Sequence, residues 1–358
     1  MNSEKLAQHR GEIDRIDREI LELLNARCRE AEAIGHLKDA VSAPVYSPER
    51  EREVFARLDE LNSGPLAKES LHAVFRAIIA GCRGLEKRLR VACLGPEGTF
   101  SHQAVLARFS DICEAVMCPT IPAVFSAVEC GRADYGVVPV ENSTEGVVTV
   151  TLDRIFCSTL SVCAEILLEV HNHLVGFGPI AAIKTIYSHP QPIAQCRSFI
   201  ADKFPKCKVV QTSSTAEAAH RAADEGAEAA ALCSETAARA AGVPVLMENV
   251  EDMPGNTTRF LVLGRQDTRP TGHDKTSVCL GMRDRAGALI DALKPFRDAG
   301  ISLSLIESRP GRVAAFEYWF FADMYGHRLD PDMAKALSAA QEVCSFVKVL
   351  GSYPRGND

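Results

Sequence analysis

At 358 residues the chain is too long for one ordinary domain and fits two or three. Its composition, 46% hydrophobic and 24% charged, is that of a globular protein, and no run of ~18 apolar residues offers a membrane span. The net charge is −7, and residues 1–90 balance 16 basic against 16 acidic side chains, so the basic excess of a nucleic-acid binder is excluded.

The 13 cysteines are odd in number and include no Cys-x-x-Cys pair, which argues against a disulfide framework and against a thiolate metal site. Free thiols in a reduced cytoplasm are the simpler reading. The polar start, Met1 to Arg10, runs straight into a helical pattern rather than a signal peptide, so a cytoplasmic location is expected.

Residues 1–90 read as helical throughout. Apolar positions Ile13, Ile16, Ile20, Leu23, Ala31 and Ile34 recur three and four apart, predicting one helix from about Glu4 to Ala40 with this stripe buried. Pro44 ends it. Pro48 opens a second helix running to about Leu61, Asn62-Ser63-Gly64-Pro65 forms a turn, and a third helix covers about Ala67 to Leu89.

The first helix carries an anomaly, because Arg10, Arg27 and Lys38 fall on its apolar stripe. Either the helix rolls and these side chains snorkel outward, or they meet an anion, since unpaired buried charge is costly. At ~1.5 Å per residue, Arg27 and Lys38 lie ~16 Å apart and converge on one small molecule, whereas Arg10 is ~25 Å from Arg27. An antiparallel partner helix would deliver Arg10, hinting at an intertwined dimer.

Arg10, Arg27, Lys38, Arg50 and Glu51, with Gly35 and the stretch Val45-Tyr46-Ser47-Pro48-Glu49-Arg50-Glu51, resemble the all-helical chorismate mutases. That resemblance implies Arg10 (from the partner chain), Arg27 and Arg50 as carboxylate ligands. It gives Lys38 a carboxylate and the ether oxygen, and Glu51 the ring hydroxyl. The rearrangement of chorismate to prephenate is pericyclic and needs preorganised cations rather than a nucleophile, metal or cofactor. On the third helix the family usually offers Ser and Gln, where this chain has Cys82 and Glu86. A protonated Glu86 would donate to the developing oxygen anion and make the mutase weaken as pH rises; Cys82 reads as a small residue lining or packing the site.

At Arg90 the period changes. Val91-Ala92-Cys93-Leu94 forms a short strand, and to about Gly264 strands such as Tyr135–Val140, Lys184–Tyr187, Lys208–Val210 and Ala229–Leu232 alternate with helices, predicting an α/β layer architecture. Polar runs stand at strand ends. They are Gly95-Pro96-Glu97-Gly98-Thr99-Phe100-Ser101-His102, Pro139-Val140-Glu141-Asn142-Ser143-Thr144-Glu145-Gly146, Ser188-His189-Pro190-Gln191 and Asn256-Thr257-Thr258-Arg259-Phe260. The first matches neither a dinucleotide fingerprint nor a P-loop, and each alone could be turn or cap chemistry. Together and in this order they resemble prephenate dehydratase.

That resemblance implies two lobes like a periplasmic binding protein, one about 91–168 plus a return near 250–265, the other about 169–249. Glu141, Asn142, Ser143, Thr144 and Gln195 would line the cleft, with Thr99 and Ser101 in its first loop. Thr258 would place its hydroxyl by the departing oxygen, and Arg259 would anchor or polarise a carboxylate. His102 and His189 read as loop-holding residues as readily as acids, and Cys196 as half-buried packing.

Gln266 to Asp274 reads as a linker. Beyond it, Thr276–Gly281, a helix near Ala286–Ala299, strands Ser302–Ser308 and Val313–Ala322, a helix from Pro331 and strand Ser345–Gly351 spell βαββαβ, a ferredoxin-like unit. Gly287-Ala288-Leu289-Ile290 and Glu307-Ser308-Arg309-Pro310 resemble the phenylalanine-binding motifs of the ACT regulatory domain found in dehydratases. The expectation is a multidomain enzyme: an all-α chorismate mutase domain over 1–90, a two-lobed α/β dehydratase over 91–268, and an α+β ACT domain over 275–353. Chorismate and prephenate would be its substrates and phenylalanine its allosteric inhibitor. It would assemble as a homodimer or larger homo-oligomer, without nucleic-acid or membrane partners. A mutase module kept only for assembly, a solute-binding protein, and arogenate as substrate remain open at this stage.

Overall fold

The computed structural model describes residues 2–41, 43–282, 285–311 and 318–356. Residues up to 89, with 109–114, form one compact unit, and 90–108 with the chain from 115 on form a second.

The first unit holds helices α1 (Asn2–Ala40), α2 (Pro48–Leu61) and α3 (Lys68–Glu86). Ser47 caps α2, its hydroxyl accepting from Arg50 N at 3.3 Å, with Pro48 at the first position and Glu49 and Glu51 in the first turn. α3 stops at Glu86, short of the expected Leu89, because Lys87 turns extended toward the next strand. The apolar stripe of α1, expected to be buried, is not covered within the single chain: Leu23 is 70% exposed, and Ile13, Ile16 and Ile20 are exposed too. The physical reason is geometric, since α3 meets only the C-terminal part of α1, around Cys28, Gly35 and Lys38.

The second unit opens with β1 (Arg90–Leu94), α4 (Phe100–Phe109), β2 (Glu114–Cys118), α5 (Ile121–Glu129), β3 (Tyr135–Asn142), β4 (Gly146–Val147), α6 (Thr149–Cys157) and β5 (Ser161–Glu169). A second lobe follows with β6 (His173–Gly176), β7 (Thr185–Ser188), α7 (Pro190–Gln195), α8 (Arg197–Lys203), β8 (Lys208–Gln211), α9 (Thr215–Glu225), β9 (Ala229–Cys233), α10 (Glu235–Ala241) and β10 (Val245–Met247). The chain then returns as β11 (Thr257–Gly264), which inserts antiparallel between β3 and β5. The first sheet runs β2-β1-β3-β11-β5 and the second β10-β6-β9-β7-β8, the two-lobed arrangement expected, with the return strand in the first lobe.

The remaining elements are β12 (Asp274–Met282), α11 (Ala288–Asp298), β13 (Leu303–Pro310), β14 (Tyr318–Tyr325), α12 (Pro331–Val343) and β15 (Phe346–Pro354). Their sheet order β13-β14-β12-β15, antiparallel throughout, is that of a ferredoxin-like unit. Of the strand expected over Val313–Ala322, 313–317 lie outside the described residues.

This sheet shares a core with the first lobe. Trp319, Phe321 and Tyr353 cluster with Ile155, Leu160 and Val162, and Trp319 lies 4.0 Å from the Phe156 ring. Each such side chain, fully buried, contributes about 1.5–3 kcal/mol. Gly351 permits the approach, because a Cβ there would overlap the Val162 backbone. The expected linker is pinned rather than loose. Tyr135 donates to Gln266 Oε1 at 2.7 Å, the Thr268 hydroxyl donates to the Ser352 carbonyl, and Asp274 accepts from Thr271 N at 2.6 Å.

Candidate functional site

Residues singled out in the sequence gather in two groups of side chains, one in each unit. In the helical unit, Lys38 Nζ lies 3.3 Å from Glu86 Oε2 and donates to the Val45 carbonyl at 3.2 Å. Gly35, one turn before Lys38, leaves the space, since a Cβ there would come within 3.0 Å of Glu86 Cγ. Glu51 is held by a residue the sequence reading missed: Arg83 NH1 donates to its Oε1 at 2.7 Å. Arg83 is buried beneath Tyr46 and Phe109, whose ring centroids lie 5.4 and 5.7 Å from the guanidinium carbon. Its cue was a cation on the apolar face of α3. Cys82 is buried against Cys28, and Arg27 stands half-buried beside that pair. Arg50 is exposed and pairs with Glu53 on its own helix at 2.7 Å, and Arg10 is exposed on α1.

In the second unit, strand pairing sets Thr258 of β11 opposite Asn142 of β3. Asn142 Nδ2 donates to Thr258 Oγ1 at 2.8 Å and to Asn256 Oδ1 at 2.9 Å. Its Oδ1 accepts from Thr144 N at 3.0 Å, Thr144 Oγ1 at 2.9 Å and Glu145 N at 3.1 Å, so one side chain folds the whole loop 142–145. Ser143 closes the other side, its N donating to Thr257 O at 2.9 Å and its Oγ accepting from Thr257 N at 3.0 Å. Thr258 Oγ1 thus receives an amide proton and keeps its own hydroxyl proton for an acceptor. Asn256 Nδ2, buried, has no hydrogen-bond partner among the described residues. A buried donor in that state costs about 1–3 kcal/mol, and an anionic ligand would satisfy it. Asn256 stood inside a motif already singled out, but only the fold reveals its orphaned amide.

Other expected residues serve the frame. Thr99 Oγ1 donates to Leu94 O at 2.9 Å, Ser101 is buried at the start of α4, and Gly98 N donates to His102 Nδ1 at 3.2 Å. Burial pulls the His102 imidazole below its ordinary value, the state of a neutral loop holder. His189 similarly caps α7, accepting from Gln191 N. Ser234, from the second lobe, donates to Gly98 O at 3.1 Å and joins the lobes at this loop. Gln195 Oε1 accepts from Asn172 Nδ2 at 3.0 Å, and the fully buried Asn172 leaves its own Oδ1 without a partner among the described residues. Cys196 is fully buried, and burial pushes its thiol up to about 12, which suits packing.

Arg259 departs from the expectation of a carboxylate anchor. Its Nε donates to Glu165 at 2.7 Å, NH1 meets Asp323 at 2.5 Å and Glu141 at 3.6 Å, and NH2 donates to Tyr353 Oη at 2.9 Å. All three nitrogens are engaged by protein. The reason is alternation: Thr258 and Arg259 are neighbours on a strand, so their side chains leave by opposite faces, and Arg259 faces the C-terminal sheet. Lys275 completes the cluster at 2.8 Å from Glu165. Burial disfavours the charge on Arg259, but Tyr353, Asp323 and Glu165 more than offset it and raise the guanidinium above its ordinary value.

In the ferredoxin-like unit, Gly287 precedes α11 with φ 79°, followed by half-buried Ala288 and Leu289. Glu307 and Ser308 lie on edge strand β13, with Pro310 at its end. Arg309, expected among ligand-binding residues, instead forks onto Asp153 of α6 at 3.0 and 3.2 Å. No helix is long and apolar enough to cross a membrane, and no cluster of metal-binding side chains occurs, among the described residues.

The fold is that of a three-helix module followed by a two-lobed α/β module and a ferredoxin-like unit. Family models agree: chorismate mutase type II matches residues 9–87 and prephenate dehydratase residues 91–268. The chain belongs to the bifunctional chorismate mutase/prephenate dehydratase family and is an enzyme with both activities. It is 44% identical to the family member of Aquifex aeolicus (strain VF5), over 98% of each chain. It is 43% identical to that of Neisseria gonorrhoeae, over 98% of this chain and 97% of the other. A crystal structure of prephenate dehydratase from Arthrobacter aurescens in complex with L-Phe aligns over 75% of this chain and 90% of the other, with 34% identity and a TM-score of 0.70.

Proposed function

We propose that Thr258 is the proton donor of the dehydratase step, and the observation that carries this is the bond from Asn142 to its oxygen. Prephenate loses carbon dioxide and its ring hydroxyl, driven by aromatisation, so the enzyme must bind carboxylates and help hydroxide depart. Thr258 keeps a proton for that oxygen, while the Asn256 amide and the loop Ser143-Thr144 offer donors to a carboxylate. Arg259 acts from behind, holding the strand that presents Thr258.

The mutase reaction runs in the helical unit, with Arg27, Lys38 and Arg50 gripping the carboxylates of chorismate and Glu51, braced by Arg83, taking the ring hydroxyl. Arg10 comes from a second chain. The uncovered stripe of α1 supports this, since a partner helix laid along Ile13, Ile16 and Ile20 would bury it. The ferredoxin-like unit is an ACT domain that binds phenylalanine at the Gly287 and Ser308 motifs and lowers dehydratase activity; the L-Phe complex of the Arthrobacter relative supports this.

The test is one incubation of purified protein with chorismate, with and without phenylalanine. Prephenate and then phenylpyruvate should accumulate, with phenylalanine suppressing only the second. Phenylpyruvate formation indifferent to phenylalanine would refute the regulatory part, and a Thr258→Ala variant with full dehydratase rate would refute the catalytic part.

A further inference from the structure

Most cysteines of this chain are isolated and inert. Cys233 and Cys279 are fully buried, and burial pushes both thiols up to about 12. One pair differs. Cys28 of α1 and Cys82 of α3, 54 residues apart in sequence, bring their sulfurs within 3.3 Å. Cys82 is 4% exposed, whereas Cys28 is half-buried, so an oxidant from solvent can reach the pair through Cys28. Both positions adjoin the mutase machinery: Cys28 follows Arg27, and Cys82 lies one turn before Glu86.

We propose that Cys28 and Cys82 are a modification site, closed to a disulfide by a hydroperoxide, and that the disulfide shuts the mutase site while the dehydratase continues. The Cys28 sulfur attacks the peroxide, forming an S–O bond as the O–O bond breaks, and the released oxygen leaves as water. The Cys82 sulfur then attacks the Cys28 sulfur. The S–S bond forms, the S–O bond breaks, and hydroxide leaves as water with the Cys82 proton. Two thiols lose two electrons and two protons, and the peroxide becomes two waters. Drawing the sulfurs from contact to a bond of ~2.05 Å pulls α1 toward α3 between Arg27 and Lys38. It also turns Cys82 away from the substrate.

The hydrogen bond shared with Cys82, followed by burial, raises the Cys28 thiol above its ordinary value. What sets this pair apart from the other buried thiols is therefore geometry, sulfur contact and an opening to solvent at Cys28, and the attacking thiolate forms only as a minor species. The exposed Cys130 and Cys157 of the other unit serve as internal controls for indiscriminate oxidation.

The inference rests on the mutase-site reading above, and the experiment separates the two. Full-length protein is treated with hydrogen peroxide, digested without reductant and mapped by mass spectrometry, with mutase and dehydratase rates assayed in parallel. The expected result is a cross-linked peptide joining Cys28 to Cys82, two hydrogens lighter than the sum of its parts. The mutase rate should fall at least ~10-fold, since misplacing a positioning group by ~1 Å can cost ~10²-fold. Dithiothreitol should restore it, and the dehydratase rate on prephenate should hold. Cys28→Ser should keep its mutase rate through the same treatment. Absence of the linked peptide, or Cys28→Ser inactivated as fast as the parent, overturns the proposal. A linked pair with an undiminished mutase rate retains the modification and overturns the placement of Cys82 in the site.

Discussion

Arg259 and Asp323 meet at 2.5 Å, both side chains less than a tenth exposed, and so tie the strand bearing Thr258 to the central part of the C-terminal sheet. One residue of β11 meets Asn142 and the next meets the C-terminal sheet. Asp323→Asn is therefore expected to lower dehydratase kcat with little change in the KM for prephenate. Breaking a buried pair by removing one partner costs about 3–5 kcal/mol, so the urea midpoint should fall as well. Mutase activity on chorismate should not move. Arg259→Lys distinguishes support from anchorage: a raised KM at unchanged kcat would return Arg259 to the substrate.

Thr258 stands on the other face, its oxygen taken by Asn142 and its proton available. Thr258→Ala should lower dehydratase kcat by ~10²–10⁴-fold, the range for loss of one positioned proton donor. Thr258→Ser, which keeps the hydroxyl, should recover most of it. Steady-state assays on chorismate and on prephenate with the same preparations check both. Loss of the two activities together would report a folding defect instead.

The division of labour between these neighbours shows what the sequence could and could not reveal. The change of period at Arg90 and the βαββαβ order after Asp274 were legible, because each is written in local pattern, while the return strand was implied only by the family resemblance. Arg259 was read as a substrate ligand because its motif also holds Thr258. Its true partners Glu165 and Tyr353 lie 94 residues away in opposite directions, so no local pattern could announce that its nitrogens were occupied. The α1 stripe shows a related limit of the sequence. Periodicity reports that a face is apolar, while what covers it depends on tertiary contacts, and α3 reaches only the end near Lys38.

Glu165 gives the second unit a specific acid sensitivity. Burial pushes its carboxyl up, but Arg259 and Lys275 outweigh burial and hold it below the ordinary 4.5. A group whose value is depressed on folding contributes stability that is complete above its unfolded value and lost as pH falls through the folded one. Stability of the parent should therefore be level with respect to this group down to about pH 5 and decline below it. Glu165→Gln, which leaves Arg259 and Lys275 short of a carboxylate, should be less stable at neutral pH and lose part of that acid decline. Urea midpoints measured at a series of pH values decide it, and equal acid slopes in parent and variant would remove Glu165 from the account.

Lys38 and Glu86 pair at 3.3 Å among the residues proposed for the mutase site, with Gly35 giving the Glu86 side chain room. In its ionised form Glu86 would hold the Lys38 ammonium away from the ether oxygen and repel the negative charge building there, whereas the protonated form expected from the sequence would donate to that oxygen. Glu86→Gln removes that competition and keeps a hydrogen-bond donor at the same position. Its mutase kcat/KM should rise about tenfold, a scale set by one charge-assisted hydrogen bond of ~1.5–3 kcal/mol. Gly35→Ala should act oppositely, pressing on Glu86 and Lys38 and lowering the mutase rate while prephenate turnover holds. Stopped assays of chorismate loss for the three proteins test both directions, and a Glu86→Gln variant no faster than the parent would show that the carboxylate does not oppose the reaction.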